Sequence, residues 1–250
     1  MKTEFGAKGL AYIKWSVGGE WESPIVKFFS DSEKAAITAR MNFAEGDVLF
    51  FGADMKLEPV CEVLGRVRLR CAELLGLLAA TKDHLNFLWV VDFPLLAFSA
   101  EDNHWVAVHH PFTRPKAEDM PLLEAVDFGK VRAVAYDVVL NGVELGGGSI
   151  RIHEKDLQAK MFEVLGVSPE DQQLKFSHLL RAFSFGAPPH GGIALGLDRL
   201  VMLIVGAESI RDVIAFPKNN RGVDLMTHSP VAVDFKQLRE LYISSTAKKA

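Results

Sequence analysis

Apolar and polar residues alternate near the start of the chain in a way that predicts a small α+β unit. Residues 10–15 read as a strand, and Gly18-Gly19 marks the turn that follows it. Ser30 and Glu33 match a capping box, which predicts a helix that runs to about Met41. The unit is therefore expected to open with a strand, a turn and a capped helix.

A second strand and a long helix are predicted to complete this unit. Val48–Phe51 is a short apolar run, as expected of a buried strand. Apolar residues then recur at helical spacing, at Val60, Leu64, Val67, Cys71, Leu74 and Leu78. Cys71 lies on this apolar stripe, so we interpret it as a core thiol rather than a reactive one. Residues 1–86 are therefore predicted to form one domain.

From residue 87 onward, strands joined by tight turns dominate the pattern. The predicted strands are Leu88–Val91, Leu95–Phe98, Trp105–Val108 and Val131–Leu140. An acidic connection at residues 117–124 precedes the last of them, and Asn141-Gly142 then gives a strong hairpin signal. Hairpin connections favour an antiparallel sheet.

The rest of the second domain, residues 87–250, is predicted to flank this sheet with helices. Two helices follow the hairpin, and the second begins at Ser168-Pro169-Glu170-Asp171 and stops at Gly186. A short strand, Ile193–Leu195, then leads into a helix from about Asp198 to Val205. The predicted fold class is α+β, and a doubly wound nucleotide fold is disfavoured.

Composition narrows the classes of function. The 250 residues carry 28 basic and 32 acidic side chains, a formal charge of −4, which excludes coating of nucleic acid by bulk charge. No apolar run reaches the length of about 18 residues that a membrane helix needs, and Met1–Phe5 lacks the apolar core of a leader. Two cysteines exclude a disulfide scaffold. These features predict a cytoplasmic protein without a membrane partner.

The hairpin around Asn141-Gly142 is the first candidate site. Counting pairs outward from this loop places Val139 opposite Glu144 and Asp137 opposite Gly146, so these four residues are predicted to share one face. Two carboxylates on one face repel each other unless a cation lies near them, and Mg²⁺ bridging phosphate oxygens suits them. The alternative is that this face is merely solvated.

Gly146-Gly147-Gly148 and Arg151 extend this candidate site. Three glycines within a strand weaken it, which indicates a bulge or the close approach of a ligand. In a regular strand Arg151 would point away from Glu144. We therefore predict a bulge or bend that brings Arg151 onto the carboxylate face, where it can clamp a substrate carboxylate with two hydrogen bonds.

Gly196-Leu197-Asp198-Arg199 is the second candidate, because it joins a strand to the start of a helix. The amide groups of a first helical turn favour an anion, and Arg199 adds a positive charge, so phosphate binding is predicted here. In the alternative interpretation, Asp198 is only the helix N-cap and Arg199 its ion-pair partner.

His109-His110 is the third candidate. One histidine is expected to approach the substrate as a neutral hydrogen-bonding group, and the other to be packed or solvated. The sequence lacks H-E-x-x-H and Cys/His clusters, which disfavours structural zinc.

Taken together, these segments resemble the bacterial aspartyl-tRNA synthetases over nearly the whole chain. The resemblance rests on the hairpin with its glycines and Arg151, residues 136–153, and on residues 191–200, which look like motif 3 of class II synthetases. Two N-terminal segments resemble the GAD domain inserted in the bacterial enzymes: Gly6-Ala7-Lys8-Gly9-Leu10-Ala11-Tyr12 and Phe50-Phe51-Gly52-Ala53-Asp54. The resemblance implies a class II antiparallel catalytic core, preceded by a small GAD-like domain.

The resemblance also implies roles for individual residues. His109 and Arg151 would contact L-aspartate, while Asp137 and Glu144 would serve the Mg²⁺ bound to ATP. The ATP itself would be held by Glu144, Gly196, Leu197, Asp198 and Arg199, with Glu144 and Arg199 taking part in catalysis. The implied reaction forms aspartyl-adenylate from aspartate and ATP, and then transfers the aspartyl group to tRNA.

Motif 1, motif 2 and the anticodon-binding domain of such enzymes have no counterpart in this sequence. The chain is therefore expected to be the C-terminal portion of a homodimeric synthetase and to be inactive alone. The alternative is a non-catalytic paralogue that binds an amino acid or adenylate, or that partners an intact synthetase.

Overall fold

The computed structural model of the chain describes residues 9–79 and 84–246. The chain divides into two compact units, Met1–His84 and Leu85–Ala250, and the division lies two residues before the predicted domain boundary. The assignment of the first unit as a GAD-like domain stays a prediction. Residues 1–8, where no leader is expected and where the GAD resemblance begins, lie outside the described residues.

In residues 9–79, the N-terminal unit contains a three-stranded antiparallel sheet, two α-helices and a short 3₁₀-helix, Val26–Phe28. Its elements are β1 (Ala11–Trp15), β2 (Trp21–Glu22), α1 (Asp31–Met41), β3 (Val48–Phe51) and α2 (Leu57–Leu74). The strand order is β2-β1-β3. Ile13, Phe43 and Val67 are buried, and the rings of Trp15 and Trp21 each lie 5.4 Å from the ring of Phe43. An aromatic cluster thus forms the core of this unit.

The capping box at the start of α1 is confirmed. The Ser30 hydroxyl accepts a hydrogen bond from the Glu33 amide at 3.3 Å, and the Glu33 carboxylate accepts one from the Ser30 amide at 2.8 Å. Hydrogen bonds from Ser30 lower the pKa of Glu33.

Two expectations for this unit are wrong. The β3 strand is not buried, since Val48 is 43% exposed on an edge of the sheet. The long helix ends at Leu74, so Leu78 lies beyond it. Cys71 is partly buried, and its interpretation as a core thiol stays a prediction. A unit of only two helices and three strands is too small to bury all the apolar residues of β3 and α2.

The C-terminal unit is built on a four-stranded antiparallel sheet. Its elements are β4 (Phe87–Val91), β5 (Leu96–Ser99), β6 (His104–Ala107), α3 (Met120–Glu124), β7 (Ala135–Leu140), β8 (Val143–Ile150), α4 (Lys155–Val164), α5 (Pro169–Phe183), β9 (Gly191–Leu195), α6 (Leu197–Val205) and α7 (Phe235–Glu240). The sheet has the order β4-β7-β8-β9, and β5 pairs with β6 in a separate hairpin. The predicted α+β class with an antiparallel sheet is confirmed.

One contiguous apolar core holds this unit together. It comprises Leu95, Leu96, Leu123, Phe128, Val131, Ala133, Ala135, Ile152 and Met161. The core joins the first residue of β7 to α3 and α4, so the strand that carries Asp137 begins on packed side chains.

The acidic connection at residues 117–124 is more ordered than expected. It forms a short 3₁₀-helix, Ala117–Asp119, followed directly by α3. Asp119 is buried and receives hydrogen bonds from Arg132 Nε at 2.8 Å and Arg132 Nη2 at 2.9 Å. These hydrogen bonds lower the pKa of Asp119 to about 2. The pair therefore fixes this connection beside β7.

Within the described ranges, no helix combines the length and the apolar character needed to cross a membrane.

Candidate functional site

The β7–β8 hairpin turns where the sequence predicts. Asn141 and Gly142 both adopt left-handed conformations, with φ of 50° and 83°, as a two-residue type I′ turn requires. Val139 pairs with Glu144, which confirms the predicted register next to the turn. Further along, the predicted pairing of Asp137 with Gly146 is wrong, because Asp137 pairs with Gly147.

A β-bulge at Leu145 causes this change of register. Val138 pairs with Gly146 and Val139 with Glu144, so Leu145 is the extra residue on β8. Since every later residue of β8 moves by one position, Gly147 and Arg151 join Glu144 on one face of the ribbon. The predicted irregularity is confirmed, and it immediately precedes the glycine run.

Leu145 stabilises the bulge with both its side chain and its backbone. The side chain is buried, with 6% of the residue exposed. Its carbonyl oxygen accepts a hydrogen bond from the Gly196 amide at 2.7 Å. The bulge thus fixes the start of α6 directly beside β8.

The start of α6 differs from the N-cap interpretation of Asp198. The N-cap residue is Gly196, and Asp198 lies in the first turn of the helix. Arg199 does not pair with Asp198 as that interpretation required. Its Nη1 lies 3.1 Å from Glu144 Oε1 and donates a hydrogen bond to the Glu144 backbone oxygen at 2.8 Å. Both side chains remain about half exposed, so they are accessible to a ligand.

The histidine pair lies beside Arg151. Thr113 bridges to Arg151 in antiparallel fashion, and the Ile152 amide donates a hydrogen bond to the Phe112 carbonyl at 2.9 Å. This pairing carries His109 and His110 to the end of β8. The expectation that only one histidine faces the site is wrong, because both line the same pocket.

His110 is held in a defined tautomer. Its Nδ1 accepts a hydrogen bond from the Phe112 amide at 3.2 Å, and its ring lies 5.0 Å from the Phe112 ring. The single proton of the neutral imidazole is therefore on Nε2. Partial burial, together with the positive charge of Arg151, lowers the pKa of His110. The ring is thus a neutral hydrogen-bond donor next to a guanidinium.

We expect His110 to titrate below the value of about 6.5 that is usual for an unperturbed imidazole. Burial and Arg151 both disfavour the charged ring, so His110 stays neutral as the pH falls through that value. NMR titration of the ring nitrogens in wild type and Arg151→Ala measures this directly. The variant should titrate higher than wild type. A wild-type midpoint at or above the usual value would contradict the prediction, as would a neutral ring protonated on Nδ1.

These elements enclose an open pocket of about 510 Å³. Its lining residues come from the histidine segment, β7, β8, β9 and the start of α6: His109, His110, Asp137, Glu144, Leu145, Gly146, Gly147, Gly148, Ser149, Arg151, Ala194, Leu195, Gly196 and Arg199. Six of the eight site residues named from the sequence are among them. Leu197 and Asp198 are exposed and outside this lining.

Sequence reasoning missed His110 and Ser149 as lining residues. The adjacent histidines offered no signal that both of them face the pocket, because their placement depends on the pairing of Thr113 with Arg151. Ser149 is buried and shares a face with Arg151. A bulge predicted at Leu145 would have placed Ser149 on the pocket face, because alternation along the strand then fixes the face on which each residue lies.

The charges in the pocket suit a ligand that is anionic at two ends. Arg151, with the neutral His110 beside it, matches a carboxylate. Arg199 and the first turn of α6 match phosphates. Asp137 and Glu144 supply the oxygen ligands that Mg²⁺ prefers when substrate phosphates complete its coordination, so the residues present fit this ion. Within the described residues, no group of three or more potential metal-ligating side chains is found.

The pocket lies within a segment of the chain that matches a known protein family. The family described as "tRNA synthetases class II (D, K and N)" matches residues 20–220. This match spans most of the chain, so the chain belongs to the class II tRNA synthetases of this group.

The similar proteins are considerably longer than this chain. It is 54% identical over 244 residues to the aspartate–tRNA(Asp/Asn) ligase of Geotalea uraniireducens, covering 98% of this chain and 40% of the relative. It is 52% identical over 241 residues to the enzyme of the same name from Methylacidiphilum infernorum, covering 96% and 40%. Among solved structures, the aspartyl tRNA synthetase of Entamoeba histolytica matches 77% of this chain and 32% of its own, with a TM-score of 0.43 and 23% identity. The chain thus spans about 40% of the length of these curated relatives.

Proposed function

We propose that this chain supplies part of the active site of an aspartate–tRNA ligase. The observation that carries the proposal is the single pocket that gathers Arg151, Glu144, Asp137 and Arg199. The names of the relatives support the choice of aspartate within a family that also includes the lysine and asparagine enzymes.

In the proposed reaction, the pocket positions two substrates for a displacement at phosphorus. An oxygen of the aspartate α-carboxylate forms a bond to the α-phosphorus of ATP. The bond from that phosphorus to the bridging oxygen breaks, and pyrophosphate leaves with the electron pair. The aspartyl group then passes from the adenylate to the terminal ribose of tRNA, and AMP is released.

The residues of the chain contribute position and charge to these steps. Arg151 holds the side-chain carboxylate of aspartate through two hydrogen bonds, and His109 and His110 line the same end of the pocket. Gly196 at the start of α6, together with Leu197 and Asp198 of its first turn, presents backbone to ATP, and Arg199 contacts its phosphates. Such preorganised charges stabilise the negative charge that develops during transfer.

Asp137 and Glu144 would hold Mg²⁺ together with ATP. When bound, this ion neutralises phosphate charge and favours the departure of pyrophosphate. Both residues line the pocket, and the Glu144 carboxylate also lies 3.1 Å from Arg199 Nη1.

The curated relatives are about two and a half times as long as this chain. We propose that the complete protein is a cytoplasmic homodimer that binds tRNA, and that this chain alone does not aminoacylate it. Transfer of aspartate to tRNA by the purified chain would contradict the second point, and aspartate-dependent pyrophosphate exchange would show that the chain activates aspartate alone.

Isothermal titration of the chain tests the assignment. We expect weak binding of L-aspartate and of ATP with Mg²⁺, and weaker or no binding of asparagine and lysine, since only aspartate has a side-chain carboxylate to place against Arg151. The proposal fails if neither aspartate nor ATP binds, or if asparagine binds as well as aspartate.

A further inference from the structure

The three consecutive glycines of β8 have different neighbours. A Cβ atom on Gly146 would overlap with the Ala194 carbonyl oxygen, and one on Gly148 with the Gly192 carbonyl oxygen. Both of these neighbours belong to the backbone of β9. Gly146 and Gly148 therefore permit the close approach of the adjacent strand.

At Gly147 the nearest atoms belong to a side chain instead. A Cβ atom there would overlap with Asp137 Oδ1 and lie 3.1 Å from Asp137 Cγ. Its nearest backbone atom would be the Tyr136 carbonyl oxygen, at 3.3 Å, which is tight but not overlapping. The space above Gly147 is thus filled by the carboxylate of a neighbouring side chain.

Register explains this contact. Asp137 and Gly147 are directly opposed on β7 and β8, and opposed Cβ atoms in an antiparallel pair lie about 5 Å apart. With no Cβ at residue 147, the Asp137 side chain folds across β8. The backbone of Gly147 does not adopt a left-handed φ. The backbone conformation would therefore accept other residues at position 147. Glycine is needed there because the carboxylate of Asp137 occupies the space of a side chain.

We infer that Gly147 is a positioning residue for Asp137. Its bare backbone lets the Asp137 carboxylate lie across β8 inside the pocket that also holds Glu144 and Arg199. The inference rests on the proposed function, in which Asp137 and Glu144 hold Mg²⁺ with ATP. A side chain at residue 147 displaces one of those two carboxylates and leaves the fold of the hairpin in place.

The test compares Gly147→Ala, Asp137→Ala and the double variant in the full chain, with Mg²⁺–ATP as the titrated ligand. We expect Gly147→Ala to weaken Mg²⁺–ATP binding by about tenfold, the scale of a lost orienting contact at a metal site. Binding of ATP in the presence of EDTA should be unchanged. In the Asp137→Ala background, Gly147→Ala should have no further effect, because the group that it displaces is already gone.

Stability and structure provide readouts that do not depend on ligand binding. In a crystal structure of Gly147→Ala, the Asp137 carboxylate should be turned away from residue 147. Any loss of thermal stability in Gly147→Ala should be restored by adding Asp137→Ala, which removes the overlapping atoms. Gly148→Ala is the matched control: its overlap is with the Gly192 backbone, so Asp137→Ala should not rescue it.

The outcomes separate the two proposals. If the wild-type chain binds neither Mg²⁺–ATP nor aspartate, its proposed function fails, while the position of the Asp137 carboxylate and the rescue of stability still test Gly147. The inference is overturned if Asp137 keeps its position in Gly147→Ala, if affinity for Mg²⁺–ATP is unchanged, or if the two substitutions have independent effects.

Discussion

Replacing Arg151 with alanine is expected to abolish measurable binding of L-aspartate to this chain. The guanidinium lies in the pocket beside His110 and is the group there that matches a carboxylate. Loss of such a charged pair costs about 3 kcal/mol, roughly a hundredfold in affinity. Arg151→Lys should recover only part of this loss, because an ammonium group keeps the charge without the two parallel hydrogen bonds. Isothermal titration of both variants measures the difference.

Arg211→Ala is a suitable control for this experiment. Arg211 is exposed, does not line the pocket, and donates a hydrogen bond to Asn220 Oδ1 at 2.7 Å. Its removal changes the net charge equally and should leave aspartate binding intact. Equal weakening in the two variants would show that overall charge, rather than the Arg151 contact, drives binding. Unchanged binding in Arg151→Ala would remove Arg151 from the site.

The hairpin shows how far local sequence rules reach. Asn141-Gly142 fixed the turn, and pairing outward from it gave the correct partner for Val139. Parity alone then required an irregularity before Arg151, if Arg151 was to share a face with Glu144. The position of the bulge depends on contacts with distant parts of the chain, because the Leu145 carbonyl oxygen accepts a hydrogen bond from the Gly196 amide. Sequence rules therefore predicted that a bulge exists, but not at which residue.

The helix start and the histidines show the same division. The strand-to-helix junction at Gly196 was predicted from local pattern, and it is where the structure places α6. The partner of Arg199 could not be predicted from local pattern, because Glu144 lies 55 residues earlier in the chain. The position of both His109 and His110 in the pocket likewise depends on how residues 109–114 pair with the end of β8. Contacts between distant segments thus decide the details of the site.

An aromatic cluster connects this pocket to the core. Phe162 of α4 is fully buried, stacks on Phe176 of α5 at 5.2 Å, and meets the edge of Phe112 at 5.7 Å. Phe112 in turn donates its backbone amide to His110. Packing between two helices therefore supports the segment that carries the histidines.

Phe162→Ala is expected to lower the free energy of unfolding of the C-terminal unit by about 3–5 kcal/mol, because it removes a buried ring and leaves a cavity between α4 and α5. Urea titration with hydrogen-exchange detection in α4 measures the stability of this unit separately from that of the N-terminal unit. Phe185→Ala is the control. The Phe185 ring is 80% exposed, so its removal should change stability by no more than about 0.5 kcal/mol.

Phe162→Ala also tests whether the aromatic cluster positions the histidine segment of the pocket. Without urea, the C-terminal unit of Phe162→Ala remains folded. Loss of the edge contact to Phe112 should then loosen the segment that anchors His110. Hydrogen exchange at the Phe112 amide should then be faster than in wild type, and aspartate binding weaker. Phe162→Leu keeps most of the buried volume and should show a smaller change in both. Protection of the Phe112 amide equal to that of wild type would show that β8 alone holds the histidine segment in place.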